Sequence, residues 1–326
     1  MAVYTHLSNA QISAYIAPFN IGGVVDFKGI SGGIENTNYF VTTQIKGQPQ
    51  EHFVLTLFED LSYDEMPYFI DLTEHLVAHD VTVPAPLRDQ NGAALHLLAD
   101  KPTLLFPRFA GDHLARSEIG VNECAIMGQE LAHLHIAGQA FPTLRHSHRG
   151  PQWWNELGPT AAAYIDGEDA TMLMMAIGQY DAMQSQQPDL PTGVIHGDLF
   201  HDNALFNQGQ LSATIDLYNA SNDYLLFDVA ITVNDWCIAP NGSIEPRLYD
   251  AFLNAYAQVR GFNNAERRYW NAMLVAAAMR FWLSRLETYH GLDTHQREAG
   301  VTVLKDPNVF RDIVRHRMQQ FHHLPS

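Results

Sequence analysis

Two cysteines, Cys124 and Cys237, are all that 326 residues carry. Two thiols far apart in a long chain make neither a disulfide scaffold nor a zinc-finger pattern. Positive charge is scarce too: 19 Lys and Arg face 36 Asp and Glu, a net charge of −17. A nucleic-acid binder needs a basic face that releases counterions, so nucleic-acid partners are not expected. The chain holds no run of 18 apolar residues, so no membrane span is expected. Met1 to Ala10 carries no Lys or Arg and no basic stretch leading into an apolar one. No signal peptide is expected, and the expected compartment is the cytoplasm. Internal repeats and low-complexity segments are also missing.

The shortage of cations is concentrated in one place. Between Arg149 and Arg247 lie 97 residues with no Lys or Arg and thirteen carboxylates. Most of these read as a solvated acidic surface. The exceptions are carboxylates embedded in apolar strands. Histidine is frequent, at 17 residues, but scattered. His133 and His135, His146 and His148, and His322 and His323 share no metal-ligand spacing and read as ordinary surface or core residues.

Apolar material is ample: 46% of the chain is hydrophobic and 11% aromatic. That excludes disorder, and the length suits two domains or one large two-lobed unit. The first hundred residues read mainly as strand. Val24 to Ile30 and Tyr39 to Val41 flank a small-residue turn, Phe53 to Phe58 follows a hairpin at Gly47 to Gln50, and two further strands lie at Leu95–Leu98 and Thr103–Phe106. Phe69, Leu72 and Leu76 have helical spacing within Pro67–His79. Helix dominates from Ser117, taken as an N-cap, to about Gly138, and again over 159–187, 227–236, 246–259 and 264–289. The last would be roughly 40 Å long at 1.5 Å per residue. The expected layout is a β-rich lobe over 1–105, a connector over 106–116 and a mostly helical lobe over 117–326. A cleft between two such lobes is the natural binding site.

The most informative stretch runs from Val194 to Phe206, where apolar residues flank the loop His196-Gly197-Asp198-Leu199-Phe200-His201-Asp202-Asn203. Asp198 and Asn203 are five apart, and Asp216 follows thirteen residues later inside Thr214-Ile215-Asp216-Leu217. Aspartate is a poor strand residue, so its position there needs a reason. Phosphoryl transfer supplies one. It needs a carboxylate to orient and deprotonate the attacking hydroxyl, and hard oxygen donors to hold Mg²⁺ on the nucleotide phosphates. Protein kinases space a base Asp and a metal-binding Asn in this way and carry a second metal Asp on the next strand. Asp198 is therefore the expected base, and Asn203 and Asp216 the expected metal ligands. A lone Asp-x4-Asn would read instead as a capped turn, but the His-Gly-Asp context and the downstream Ile-Asp reverse that weighting. The second element runs from Lys28 to Tyr39, where small residues let backbone amides approach phosphate oxygens. Its candidates for covering the nucleotide are Ser31, Gly32, Gly33, Asn36 and Thr37.

These residues resemble the aminoglycoside phosphotransferase-type small-molecule kinases, which share a protein-kinase-like fold. The brace is His196-Gly197-Asp198-Leu199 with Asn203, then Ile215-Asp216. Within that group the chain is similar to the kinase-like bacterial homoserine kinases. That match includes Gly33-Ile34-Glu35-Asn36-Thr37-Asn38-Tyr39, Leu55-Thr56-Leu57-Phe58-Glu59 and Asn234-Asp235-Trp236-Cys237, and it spans nearly the whole chain. The resemblance implies an α+β fold with a small antiparallel-sheet lobe and a larger helical lobe. It also implies phosphorylation of the L-homoserine hydroxyl with ATP and Mg²⁺, on the route to threonine, by a monomer or homodimer. Adenine would dock near Phe106 to Phe109. One departure is visible: the third strand has Thr56 where kinase-like folds carry a Lys, and Glu65 and Glu74 have no obvious cationic mate. Lys28 and Lys46 are the nearby candidates to replace it.

Asn222 and Asp223 are candidates for a substrate ammonium, although exposed turns favour both residues too. Arg280, with Arg285 and Arg108 beside it as options, is the candidate for a substrate carboxylate. Asp228 reads as a carboxylate favoured at a helix N-terminus. Trp153, Trp154, Trp236 and Trp282 read as core or cleft wall. Two other classes stay open: a kinase of the same fold acting on an amino alcohol, an aminoglycoside or a sugar, and a catalytically weak nucleotide-binding regulatory module.

Overall fold

The computed structural model describes residues 3–30, 36–292 and 304–325. The chain divides into two compact units, the first ending at Ala110 and the second starting at Gly111.

The first unit opens with α1 (Asn9–Ile16) and then builds a sheet from β1 (Gly23–Gly29), β2 (Thr37–Gln44) and β3 (Gln50–Leu57). After α2 (Met66–Ala78) come β4 (His96–Leu98) and β5 (Lys101–Pro107). The strand order is β1-β2-β3-β5-β4, and every pairing is antiparallel. Period-two alternation buries one face: Tyr39, Val41, Phe53, Leu55, Leu57 and Leu105 pack on Ile12, Tyr15 and Ile16 of α1. The helix α1 was not anticipated in a segment read as strand. Its start is fixed locally, because the Ser8 hydroxyl accepts from the Gln11 amide while the Gln11 side chain accepts from the Ser8 amide.

The second unit runs α3 (Val121–Gln139), α4 (Pro151–Ala162), α5 (Gly167–Gln184), β6 (Thr192–Ile195), β7 (Ala204–Asn207), β8 (Gln210–Thr214) and β9 (Ser221–Tyr224). It then runs α6 (Leu225–Trp236), α7 (Pro246–Val259), α8 (Asn264–His290) and α9 (Asn308–Gln319). Two small antiparallel pairs, β6 with β9 and β7 with β8, sit among these helices. The core collects Trp154, Trp236, Trp270 and Trp282, all essentially buried. This mixed architecture agrees with the expected α+β fold.

Three boundaries differ from the sequence expectation. The helix expected to be capped by Ser117 starts at Val121; Ser117 lies in a short 3-10 turn, and Gly120 is the cap, its amide donating to Glu123. The block expected over 159–187 is two helices. Pro159 lies inside α4, and Asp166 starts α5 by accepting the amides of Glu168 and Asp169. The helix α9 was not anticipated. Its buried Phe310, Ile313 and Val314 lie at helical spacing, but three arginines and a histidine share the segment and hide the stripe.

Helices α3 and α7 approach closely at Gly128. A Cβ there would lie 2.2 Å from the Phe252 carbonyl oxygen and 3.0 Å from its carbon. Backbone cannot yield as a side-chain tip can. Gly128→Ala is expected to cost about 1–3 kcal/mol by overpacking, a drop readable in urea denaturation. An unchanged midpoint would show that the two helices can separate freely.

Candidate active site

The loop from His196 to Asn203 leaves β6 and enters β7. Gly197 at its head has φ of +77°, and a Cβ there would sit 2.7 Å from the Asn219 carbonyl oxygen. The glycine of His-Gly-Asp is thus required by backbone handedness and by space. The half-buried Asp198 follows, and the Asn203 amide donates to the Asp198 carbonyl oxygen at 2.8 Å and reaches its carboxylate at 3.5 Å. The β7–β8 hairpin then pairs Ala204 with Thr214, and the Ile215 amide donates to the Asn203 carbonyl at 2.9 Å. The hairpin therefore puts Asp216 one residue beyond the partner of Asn203. Asp216 itself has φ of +64°, a left-handed conformation that non-glycine residues adopt rarely and that clusters at functional sites. The three residues singled out from sequence are brought together.

Buried polar groups hold this loop from behind. The Asp228 carboxylate, fully buried in α6, accepts the His196 amide at 2.7 Å, the Gly197 amide at 2.9 Å and His135 Nε2 at 3.1 Å. Burial alone pushes its carboxyl up; the His135 bond and the Gly197 amide outweigh that and hold its pKa below the usual range. Burial lowers the pKa of His135, which outweighs its contact with Asp228 and leaves it neutral. Its Nε2–H donates to Asp228 while Nδ1 accepts the Tyr256 hydroxyl at 2.7 Å. His196 is likewise buried, neutral and lowered by burial; its Nε2 donates to the Ile215 carbonyl at 3.0 Å. Asp228 stands in the first turn of α6, as expected, and in addition serves as the acceptor for the loop.

One turn pair further along α6, Asp235 accepts both the amide and the Nδ1 of His201 at 2.8 Å, and Arg116 Nη2 at 2.6 Å. Arg116 also donates to the Asp235 carbonyl. Trp236 Nε1 donates to the Leu199 carbonyl at 3.1 Å. His135, Arg116 and Asp235 were not assigned from sequence. A usable signal existed: Asp228 and Asp235 are seven apart in an apolar helix, hence on one face.

The other candidates are dispersed. Thr37 is fully buried; its hydroxyl donates to Glu59 at 2.7 Å and accepts the amides of Tyr4 and Thr5. The Asn36 carbonyl accepts from Asn38 at 3.4 Å. Phe106 is buried in β5 opposite Val54, and Phe109 is half-buried just beyond that strand. Ser31, Gly32 and Gly33 lie outside the described residues. Asn222 and Asp223 pair with Val194 and Gly193, the middle residues of β6. The Asn222 side-chain oxygen accepts the Arg145 amide at 2.9 Å. Asp223 lines a pocket of about 300 Å³ with Tyr180, Gln184 and His146, and burial pushes its pKa up to about 6. Arg280 is buried, its guanidinium 3.9 Å over the Phe281 ring. Arg285 bonds the Asp306 carbonyl at 2.9 Å, and Asp198 and Asp202 both bear on its charge. Glu74 does have a cation: Arg88 pairs with it at 2.7 and 2.8 Å.

The acid limb of stability follows from these groups. His135 and His196 sit below 6.5 when folded, and Asp228 and Asp235 below 3.8. In each case the unfolded chain takes up the proton first, so stability is whole above the unfolded value and falls with pH. Thermal stability should therefore fall as pH drops below about 6.5, opposed in part by the raised carboxyl of Asp223, and fall more steeply below about 4. A melting temperature flat from pH 7 to about 4.5 would contradict the neutral, buried histidines.

Comparison with known proteins places this geometry. The family model described as "Phosphotransferase enzyme family" matches residues 26–263. A homoserine kinase of Ralstonia pickettii (strain 12J) is 40% identical over 329 residues, covering 98% of this chain and 96% of that protein. A homoserine kinase of Burkholderia pseudomallei (strain 1710b) is 38% identical over 337 residues, covering 100% and 98%. Among solved structures, an amicoumacin kinase bound to AMP-PNP and Ca²⁺ superposes with a TM-score of 0.68 at 16% identity, covering 96% of this chain and 93% of that one. A microcompartment-associated aminopropanol kinase superposes with a TM-score of 0.64 at 16% identity, covering 95% and 94%. Sequence likeness over the full length and a shared kinase-like fold converge: the chain belongs to the phosphotransferase enzyme family and is a kinase.

Proposed function

We propose that this kinase transfers the γ-phosphoryl group of ATP to the side-chain hydroxyl of L-homoserine, giving O-phospho-L-homoserine and ADP on the route to threonine. The observation that carries the acceptor is the 38–40% identity, over nearly the whole chain, to homoserine kinases. In the reaction the hydroxyl oxygen bonds the γ-phosphorus, the bond to the β–γ bridging oxygen breaks, and the hydroxyl proton passes to Asp198. Asn203 holds that aspartate from the side through its 2.8 Å bond to the Asp198 carbonyl.

The donors suit Mg²⁺. The Asn203 amide nitrogen faces Asp198, so its oxygen is turned the other way, and Asp216 sits beside it on the hairpin. Mg²⁺ prefers a few hard oxygen ligands and takes the rest from water and phosphate. Asn203 and Asp216 would hold it, where it would neutralise charge on the β- and γ-phosphates. Asn36 and the backbone near Phe106 and Phe109 remain the proposed nucleotide contacts in the first unit, whereas the Thr37 side chain, buried and engaged with Glu59, Tyr4 and Thr5, is not one.

For the substrate, α8 offers Arg280 and Arg285. Both are proposed for the substrate carboxylate: Arg285 bonds the Asp306 carbonyl and stacks over Phe310, and Arg280 is buried over Phe281. Asn222 is engaged with Arg145, so the ammonium proposal rests on Asp223.

A panel of L-homoserine, choline, L-threonine and kanamycin with Mg-ATP, followed by ADP release, tests the acceptor. Turnover on homoserine alone is expected; turnover on choline or kanamycin without homoserine moves the chain to another acceptor. Asp198→Asn should lower kcat on the order of 10²–10⁴-fold with nucleotide affinity near native. A fully active variant would falsify the base assignment. Asp216→Ala should abolish the Mg²⁺ dependence of nucleotide affinity, and an unchanged dependence excludes it as a ligand.

A further inference from the structure

Kinases of this kind place a lysine on the third strand to meet nucleotide phosphates. Here β3 has Thr56 at that level of the sheet. Four strands line up there: the Ile30 amide bonds the Asn38 carbonyl at 2.9 Å, Asn38 pairs with Thr56, and Thr56 pairs with Leu104. Paired residues share a face, so Asn38 and Thr56 stand together between apolar neighbours. The face carrying them is opposite to the one that packs on α1.

Their orientation is set at both ends. The Thr56 hydroxyl is 2.7 Å from Asn38 Oδ1, and Asn38 Nδ2 is 3.4 Å from the Asn36 carbonyl oxygen. A carbonyl can only accept, so the Asn36 end must be the NH₂ end, and Thr56 must donate to the oxygen. One long contact uses at most one of two N–H groups. Asn38 is half-exposed while Thr56 is 4% exposed, so the pair is anchored on Thr56 and open at Asn38.

No Lys or Arg occupies the position of Asn38 or Thr56, although Lys28, paired with Phe40, and Arg108, over the Phe40 ring, share their face of the sheet. Lys101 pairs with Glu59, Arg88 with Glu74, and Arg108 stacks over Phe40 at 3.9 Å. Lys46 lies in the turn after Gln44, at the far end of β2, and Lys28 pairs opposite Phe40, two residues from Asn38 along β2.

We propose that Asn38, oriented by Thr56, donates its side-chain N–H to a nucleotide phosphate oxygen in the place of the missing lysine. Thr56 acts as its positioning residue. The site takes an adenine nucleotide through its phosphates and gives a neutral hydrogen bond where a cation would give a charged one. This rests on the ATP-dependent reading above, though not on its acceptor.

The test is equilibrium binding of ATP, ADP and adenosine, with Mg²⁺, to the full-length chain. Asn38→Ala should weaken ATP and ADP by about 3- to 10-fold, the range of a neutral hydrogen bond. Asn38→Asp, of the same shape, should weaken them more, because a carboxylate then faces phosphate. Thr56→Val should shift both in the same direction and Thr56→Ser should restore native values. Adenosine, which has no phosphate, should bind all variants alike. ATP and ADP affinities within about twofold of native in Asn38→Asp overturn the proposal, as does a parallel loss for adenosine. Failure of homoserine as acceptor leaves these measurements intact, whereas a native chain that binds no adenine nucleotide sinks this proposal together with the reading beneath it.

Discussion

The carboxylate of Asp228 sits with no exposure among apolar side chains of α6, and the loop from His196 to Asn203 is built on it. An unpaired buried carboxylate would cost several kcal/mol. Two amides and an imidazole N–H offset that cost, and each fixes something the site needs. The amides belong to His196 and Gly197, so the carboxylate clamps the backbone just before Asp198. The imidazole belongs to α3, which ties that helix to the same point. Because Asp228 is ionised and His135 neutral, the bonds are charge-assisted without a second buried charge.

The clamp is extended along α6. Asp235 and Trp236 hold His201 and Leu199, so the helix grips the loop on both sides of Asp198. The chain of bonds also runs outward: Tyr256 meets His135, Arg260 meets Tyr256 at 3.0 Å, and the buried Glu266 meets Arg260 at 2.9 Å. The tautomer of His135 is thereby set from two directions. A loop held in this way has little freedom to drift, and a fixed base is what a reaction dependent on positioning requires.

The proposed reactive residues could be picked out, and their proximity anticipated, because their spacing is local. Asp198 and Asn203 are five residues apart, and Asp216 stands in a strand where an aspartate is out of place. The supports were not legible because their partners are remote. His135 lies 93 residues from Asp228, and Arg116 lies 119 from Asp235. Nothing in the spacing around His135 marks it as a donor to a catalytic loop. The sheet was readable from alternation, and the α7 bounds from Pro246 and the apolar stripe. The short α1 was missed because its signal is a cap, Ser8 with Gln11, and three apolar residues. Charge sorting was legible in part: of the thirteen carboxylates in the cation-free stretch, Asp228 and Asp235 are indeed buried for a purpose, but Asp169 is also buried, and α9 supplies it with Arg315 at 2.8 Å.

That cation-free stretch and the neutral third-strand position bear on each other. A chain of net charge −17 with Thr56 in place of a lysine approaches an anionic nucleotide with little positive charge of its own. In the proposed site, Asp198 and Asp216 would add further negative charge beside the transferred group. Phosphate oxygens would be repelled from two carboxylates unless a divalent cation lay between them, and the Asn203–Asp216 pair is the set of hard oxygens that such a cation needs. An additional lysine could in principle serve, but it would also compete with the metal for the same carboxylates and phosphates. A neutral donor such as Asn38 orients a phosphate without that competition. On the proposed reading, binding would depend more steeply on the metal than in a kinase whose strand lysine carries part of the charge.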